Sequence, residues 1–116
     1  MNLIEEIKKI PRMEIRPNSR GLDYLEAVLQ KSDLESLNSL LRKHLGTEVM
    51  APGKGANLPT GIQKMVDSIG GLRPGQSFFY KQDRQVVIYA VLWPWESNPD
   101  KITLKSGLWK IDRTNP

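Results

Sequence analysis

The segment VVIYAVLW, residues 86–93, decides how this sequence folds. It is rich in β-branched and aromatic residues, which favour a strand, and it is apolar at every position. A strand with one face in water would alternate apolar and polar residues instead. The sequence therefore predicts a central strand with both faces covered, either by other parts of the chain or by a partner.

Neighbouring segments extend this strand into a sheet. Residues 76–81 and 101–111 have strand composition, and the Gln-Asp pair at 82–83 is short enough to make a hairpin with the strand at 84–93. The Ser-Gly pair at 106–107 indicates a bulge or bend in the last strand. These patterns predict a three-stranded antiparallel meander.

Helical patterns precede the sheet. Residues 33–45 and 61–69 each carry an apolar stripe behind a capping box, and residues 2–10 carry a shorter stripe that ends at Pro11. Residues 22–30 are ambiguous, because the leucine spacing favours a helix whereas a strand would add a fourth strand to the sheet. We prefer the helix. The predicted class is α+β, with two to four helices packed mainly on one face of a three-stranded or four-stranded antiparallel sheet.

The 116 residues are the length of one domain. Residues 11–21, PRMEIRPNSRG, have the composition of a linker. We therefore expect a helix and linker at residues 1–20 that dock loosely, and a compact core formed by residues 21–116.

Composition excludes several kinds of chemistry. The chain has no cysteine, which rules out disulfides and thiolate metal sites, and His44 is the one histidine. Metal-binding and nucleophile motifs are absent from the sequence, and we interpret His44 as a helix-end residue with no catalytic role. We expect a protein that is not an enzyme and binds no cofactor or metal ion.

Two features bear on location. No apolar run approaches the roughly 20 residues that span a bilayer. The first ten residues, MNLIEEIKKI, are too acidic for a signal peptide. We therefore expect a cytoplasmic protein that does not enter a membrane.

A glycine-rich loop lies between the two firmest helices. Gly53, Lys54 and Gly55 are a candidate anion-binding loop, because glycines and a lysine near a helix amino terminus can hold an anion. A phosphate-binding P-loop would place Lys and Ser/Thr directly at the helix start, whereas Ala-Asn-Leu-Pro intervenes here. A flexible connection is the simpler interpretation of this loop.

One face of the central strand supplies the candidate binding surface. Segment 1–30, a second copy of the chain or a ligand could cover this face. Where it stays open, we expect an aromatic centre with a basic rim, a composition that is enriched at interfaces. The predicted aromatic centre is Tyr89, Trp93, Trp95 and Trp109, and the predicted rim is Arg73, Lys81, Arg84 and Lys105.

These residues predict a small protein-interaction module that binds a partner or associates with itself through the sheet face. The alternative is a weak binder of single-stranded nucleic acid, because such proteins also combine aromatic platforms with basic groups. The net charge of +4, from 17 Lys and Arg against 13 Asp and Glu, is compatible with both. Mild positive charge of this size usually reflects solubility alone.

Overall fold

The computed structural model describes residues 3–10, 13–17, 19–21, 23–46, 58–72 and 75–110. Within these ranges the chain forms three α-helices and five strands. The helices are α1 (Leu3–Ile7), α2 (Leu34–Leu45) and α3 (Thr60–Ser68). The strands are β1 (Glu14–Ile15), β2 (Tyr24–Gln30), β3 (Ser77–Asp83), β4 (Val86–Pro94) and β5 (Lys101–Lys110).

All strand pairs are antiparallel, and the strand order in the sheet is β1-β2-β5-β4-β3. The α+β class is confirmed, and the three predicted strands form the meander β3-β4-β5. The predicted number of strands was too low, because β1 and β2 continue the sheet on the far side of β5.

The preference for a helix over residues 22–30 was wrong, because β2 occupies most of this segment. β2 pairs with β5 along its whole length, and Leu25, Ala27 and Leu29 alternate onto one face with no exposed surface. The helix-favouring residues Glu26 and Ala27 are overridden by this pairing, since β2 lies inside the sheet between β1 and β5. Local propensity is a weak signal for a strand that is held on both sides.

Helices cover both faces of the sheet, so the expectation that they pack mainly on one face was wrong. We call the two sides the α1/α2 face and the α3 face after the helices that cover them. Apolar side chains of α1 and α2 share a core cluster with Phe79, Ala90 and Leu92. Side chains of α3 share a second cluster with Phe78, Val87 and other residues of β3 and β4. The sequence shows that each helix has an apolar side but does not show which face of the sheet that side meets.

The first helix packs on the body of the protein. Leu3, Ile4 and Ile7 are buried in the cluster of the α1/α2 face. The Glu6 carboxylate contacts the Nε2 atom of His44 near the end of α2. His44 therefore joins α1 to α2, which is a structural role.

Three local predictions require correction. The hairpin turn lies at residues 84–85, two residues later than predicted, because Asp83 pairs with Val86 and Arg84 adopts a positive φ of 59°. Residues 106–107 form no bulge, because the pairing of β5 with both neighbours runs through them without a break. The N-cap residues also differ from the predicted Ser32 and Thr60: they are Asp33 and Pro59, and neither makes a side-chain capping hydrogen bond.

Candidate binding groove on the α3 face

The alternation of β4 positions the predicted aromatic centre. Tyr89 and Trp93 lie on the α3 face with Val87, and Trp109 joins them because it is the direct partner of Val87 on β5. Tyr89 is only 4% exposed, whereas Trp93 and Trp109 are half-buried. Tyr89 therefore belongs to the floor beneath α3, and the two tryptophans remain accessible to a ligand.

Trp95 reaches the same face by a different route. Its backbone N–H donates to the carbonyl of Lys101 at 2.9 Å, and its indole Nε1 donates to Thr103 Oγ1 at 2.7 Å. Thr103 is the cross-strand partner of Trp93, so these bonds hold the two indoles beside each other at the end of β4. Trp95 packs in neither core cluster and is half-buried. Its ring is therefore fixed at the surface by polar contacts.

α3 covers only part of its face, and three adjoining hollows occupy the remainder. The tyrosine hollow, of about 370 Å³, is lined by residues that include Tyr24, Tyr89 and Trp109. The central hollow, of about 240 Å³, shares Ile69 and Lys105 with it. The tryptophan hollow, of about 740 Å³, lies at the other end. Together they form one groove beside α3.

The tryptophan hollow carries the most apolar wall of the groove. It shares Gln76 and Trp93 with the central hollow and adds Pro94, Trp95 and Pro99. Rings of this kind bury large apolar area and present flat faces for stacking. This end of the groove can therefore accommodate an apolar or aromatic group.

Three cations of this face lie over aromatic rings. Lys105 Nζ is 5.6 Å from the centroid of the Trp93 ring, and Lys101 Nζ is 5.1 Å from that of Trp95. At the other end, the Arg20 guanidinium is 5.5 Å from the ring of Tyr24. Within the described part of the chain, none of these three cations forms an ion pair with a carboxylate. The face thus holds positive charge that no carboxylate of the described residues neutralises directly.

The tyrosine hollow depends on a glycine in β5. A Cβ atom added at Gly107 would lie 3.0 Å from the Tyr89 hydroxyl oxygen, 3.0 Å from the Asp23 carbonyl oxygen and 3.2 Å from Tyr24 Cδ1. The φ of Gly107 lies outside the left-handed region, so the backbone itself does not require glycine. Glycine suits this position instead because the Asp23 carbonyl and the side chains of Tyr24 and Tyr89 leave little space for a Cβ atom.

Both tyrosines keep their protons. Burial raises the pKa of Tyr24, and the hydrogen bond that its hydroxyl donates to Glu26 Oε1 at 2.8 Å raises it further. Burial also raises the pKa of Tyr89, while the charge of Arg20 partly opposes both shifts. Each hydroxyl is therefore a neutral donor at physiological pH, and that of Tyr24 is already used.

The predicted basic rim is only partly present. Lys105 lies in the groove, as expected. Lys81 is the cross-strand partner of Ile88, which places it on the α1/α2 face, and Arg84 lies in the exposed hairpin turn. Arg73 and the candidate anion loop, Gly53, Lys54 and Gly55, lie outside the described residues.

Sequence reasoning missed several groove residues. Tyr24 and Glu26 were overlooked because residues 22–30 were assigned to a helix, although the apolar residues Leu25, Ala27 and Leu29 alternate as in a strand. Arg20 was overlooked because it lies in the segment that was interpreted as a linker. Lys101 could have been found, because it has the same parity along β5 as Lys105. The other residues could not be assigned to the groove without knowing how the strands pair with one another.

Comparisons with known proteins give no information on the function of this chain. No family model, curated protein or solved structure matches this chain. Within the described ranges, no group of three His, Asp or Glu side chains is placed to hold a metal ion. None of the helices that the structure describes is long and apolar enough to cross a membrane. The α3 face combines rings that are available for stacking with cations and a hydroxyl that are available for polar contacts.

Proposed function

We propose that this protein is a small, non-enzymatic interaction module that binds a partner protein through the groove on the α3 face. The observation that carries the proposal is the set of three adjoining hollows walled by Trp93, Trp95 and Trp109, all of them half-buried. Tryptophan is the residue type most enriched among those that dominate the energy of protein interfaces. Exposed aromatic surface in a groove with polar walls commonly marks an interaction site.

The charge of the groove walls favours a protein over a nucleic acid. Arg20 and Lys105 line the hollows, but so do Asp23, Glu26 and Glu96. Single-stranded nucleic acid is bound in grooves that are positively charged along the whole backbone. A peptide can match alternating charges residue by residue, so the mixed wall suits a protein partner.

Single-stranded nucleic acid is the second candidate. The pairs Lys101–Trp95 and Lys105–Trp93 combine a cation with a ring on which a base could stack. This candidate predicts binding that weakens steeply with added salt, because each phosphate contact releases counterions.

Site-specific photo-crosslinking distinguishes these partners. A benzophenone side chain replaces Ser97 at the edge of the tryptophan hollow, and a control variant carries it at Lys81 on the opposite face. Both variants are illuminated in an extract of the source cells. We expect only the variant with benzophenone at position 97 to form an adduct, and we expect protease to destroy that adduct and nuclease to leave it intact. An adduct with the mass of two chains would identify the partner as a second copy. A nuclease-sensitive adduct, or no adduct at Ser97, would refute the proposal.

Trp95→Ala separates a binding role from a structural one. We expect the free energy of unfolding to fall by only about 1 kcal/mol, because the ring lies outside both core clusters and loses mainly its bond to Thr103. We expect partner binding to weaken by about 2 kcal/mol, as for an aromatic anchor. Denaturant unfolding and titration of the crosslinked partner measure the two effects.

Trp95→Phe is the matched control, since it keeps an aromatic ring and removes the indole N–H. It should retain most of the binding. A loss of about 3–5 kcal/mol of stability in Trp95→Ala, the usual effect of truncating a buried tryptophan, with unchanged binding would show that Trp95 is a core residue and no anchor.

A further inference from the structure

Two lysines give the groove positive charge, one at its centre and one beside the tryptophan hollow. Lys101 and Lys105 project from β5 on the α3 face, four residues and about 13 Å apart along the strand. Each ammonium group lies over an indole ring. Within the described part of the chain, neither ammonium group forms an ion pair with a carboxylate. By contrast, Arg16 on the edge of the sheet is paired with Glu14 at 3.1 Å. The two lysines can therefore bind carboxylates without giving up an ion pair with any described residue.

The two ends of the groove carry negative charge. Asp23 and Glu26 line the tyrosine hollow, and Glu96 lines the tryptophan hollow. Along the groove the charge is therefore negative in the tyrosine hollow, positive at Lys105, and mixed at the tryptophan hollow, where Lys101 lies over Trp95 and Glu96 lines the wall. A nucleic-acid backbone would bring its phosphates past the acidic residues, whereas a peptide can confine its carboxylates to the positions of the two lysines.

An extended peptide lying along β5 would rise by the same ~3.2–3.4 Å per residue as the strand beneath it, and its alternate side chains would face the groove. Carboxylates four residues apart would then meet Lys101 and Lys105, and an apolar side chain midway between them would face Thr103 and the tryptophan hollow. We propose, building on the protein-binding role above, that the groove binds an extended acidic segment of its partner, with carboxylates on Lys101 and Lys105.

Selection from a random peptide library displayed on phage tests this inference, and it does not require the partner to be identified first. We expect peptides selected on the wild-type protein to be enriched in Asp and Glu, with acidic pairs four residues apart. We expect the charge-reversal variant Lys101→Glu/Lys105→Glu to bind those peptides at least tenfold more weakly and to select basic peptides instead. Lys81→Glu makes the same charge change on the opposite face and should behave as the wild type.

Two further variants keep the result interpretable. Lys101→Gln/Lys105→Gln removes the charges without introducing acids between the indoles, and it should lose the acidic preference even if the charge-reversal variant proves unstable. Trp95→Ala shows whether the selected peptides occupy the groove. Peptides that bind in a Trp95-dependent way without acidic enrichment would overturn this inference while leaving the proposed function intact. If a ten-residue thymidine oligonucleotide displaced the bound peptide, the inference would be overturned in favour of nucleic acid. If none of the selected peptides depended on Trp95 for binding, both this inference and the proposed function would be overturned.

Discussion

Phe78→Ala is expected to lower the free energy of unfolding by about 3–5 kcal/mol and to loosen α3 more than any other element. Phe78 has no exposed surface, lies in the cluster of the α3 face and stacks on Tyr80 with ring centroids 5.6 Å apart. Its truncation leaves a cavity between β3 and the apolar side of α3. Denaturant unfolding gives the loss of stability, and native-state hydrogen exchange of the amides at residues 60–68 gives its location.

The adjacent residue is the matched control. Phe79 is equally buried but lies in the cluster of the α1/α2 face. Phe79→Ala should therefore cause a similar loss of stability while raising exchange in α2, with α3 affected only through global unfolding. Local loosening of the same helix by both variants would contradict the arrangement of helices on opposite faces.

The strands of the meander could be predicted because their sequence carries its own evidence. The run at 86–93 is apolar on both faces, and this correctly indicated a strand inside the sheet with cover on each face, although the middle position of the five-stranded sheet belongs to β5. Phe78 and Phe79 point to opposite faces, as consecutive strand residues must. The amphipathic helices α2 and α3 were also predictable, since their stripes are long and regular.

The assignment of helices to faces could not be predicted in the same way. An apolar stripe shows that a helix packs on something, but the stripe of α3 is compatible with either face of the sheet. Tyr89 was expected to be covered by segment 1–30, a second copy or a ligand, and the structure places it in the cluster that α3 completes. The glycine-rich sequence between the two helices has no periodic signal that would indicate a face.

The candidate groove was predictable where its residues lie in correctly predicted strands, because alternate residues of a strand face the same side of the sheet. Tyr89, Trp93 and Lys105 were identified because they lie in β4 and β5. Lys81 was placed on the wrong face although the predicted turn already determined its side: pairing with Arg84, as that turn implies, or with Ile88, as observed, puts Lys81 on the face opposite Tyr89. Arg20 and Tyr24 were missed because long-range pairing of β2 with β5 brings them to the site.

Gly107→Ala is expected to lower the free energy of unfolding by about 2–3 kcal/mol, although alanine is usually tolerated in a strand. The new methyl group would lie 3.0 Å from two oxygen atoms, the hydroxyl of Tyr89 and the carbonyl of Asp23. The Asp23 carbonyl also accepts the backbone N–H of Leu108 at 3.1 Å, so it cannot move without weakening that bond. The effect should therefore reach the upper part of the usual range for overpacking a close-packed site.

A double-mutant cycle with Tyr89→Phe identifies the cause. Removing the Tyr89 hydroxyl removes one of the two closest contacts, so Gly107→Ala should be about 1 kcal/mol less destabilising in that background. Tyr24→Phe is the control, because the Tyr24 atom that faces the added methyl group is Cδ1 and its hydroxyl is bonded to Glu26. Denaturant unfolding of the four proteins in each cycle should show relief with Tyr89→Phe and none with Tyr24→Phe. If Gly107→Ala lowered the free energy of unfolding equally in the wild-type, Tyr89→Phe and Tyr24→Phe proteins, the Tyr89 hydroxyl would not be the group that disfavours a side chain at position 107.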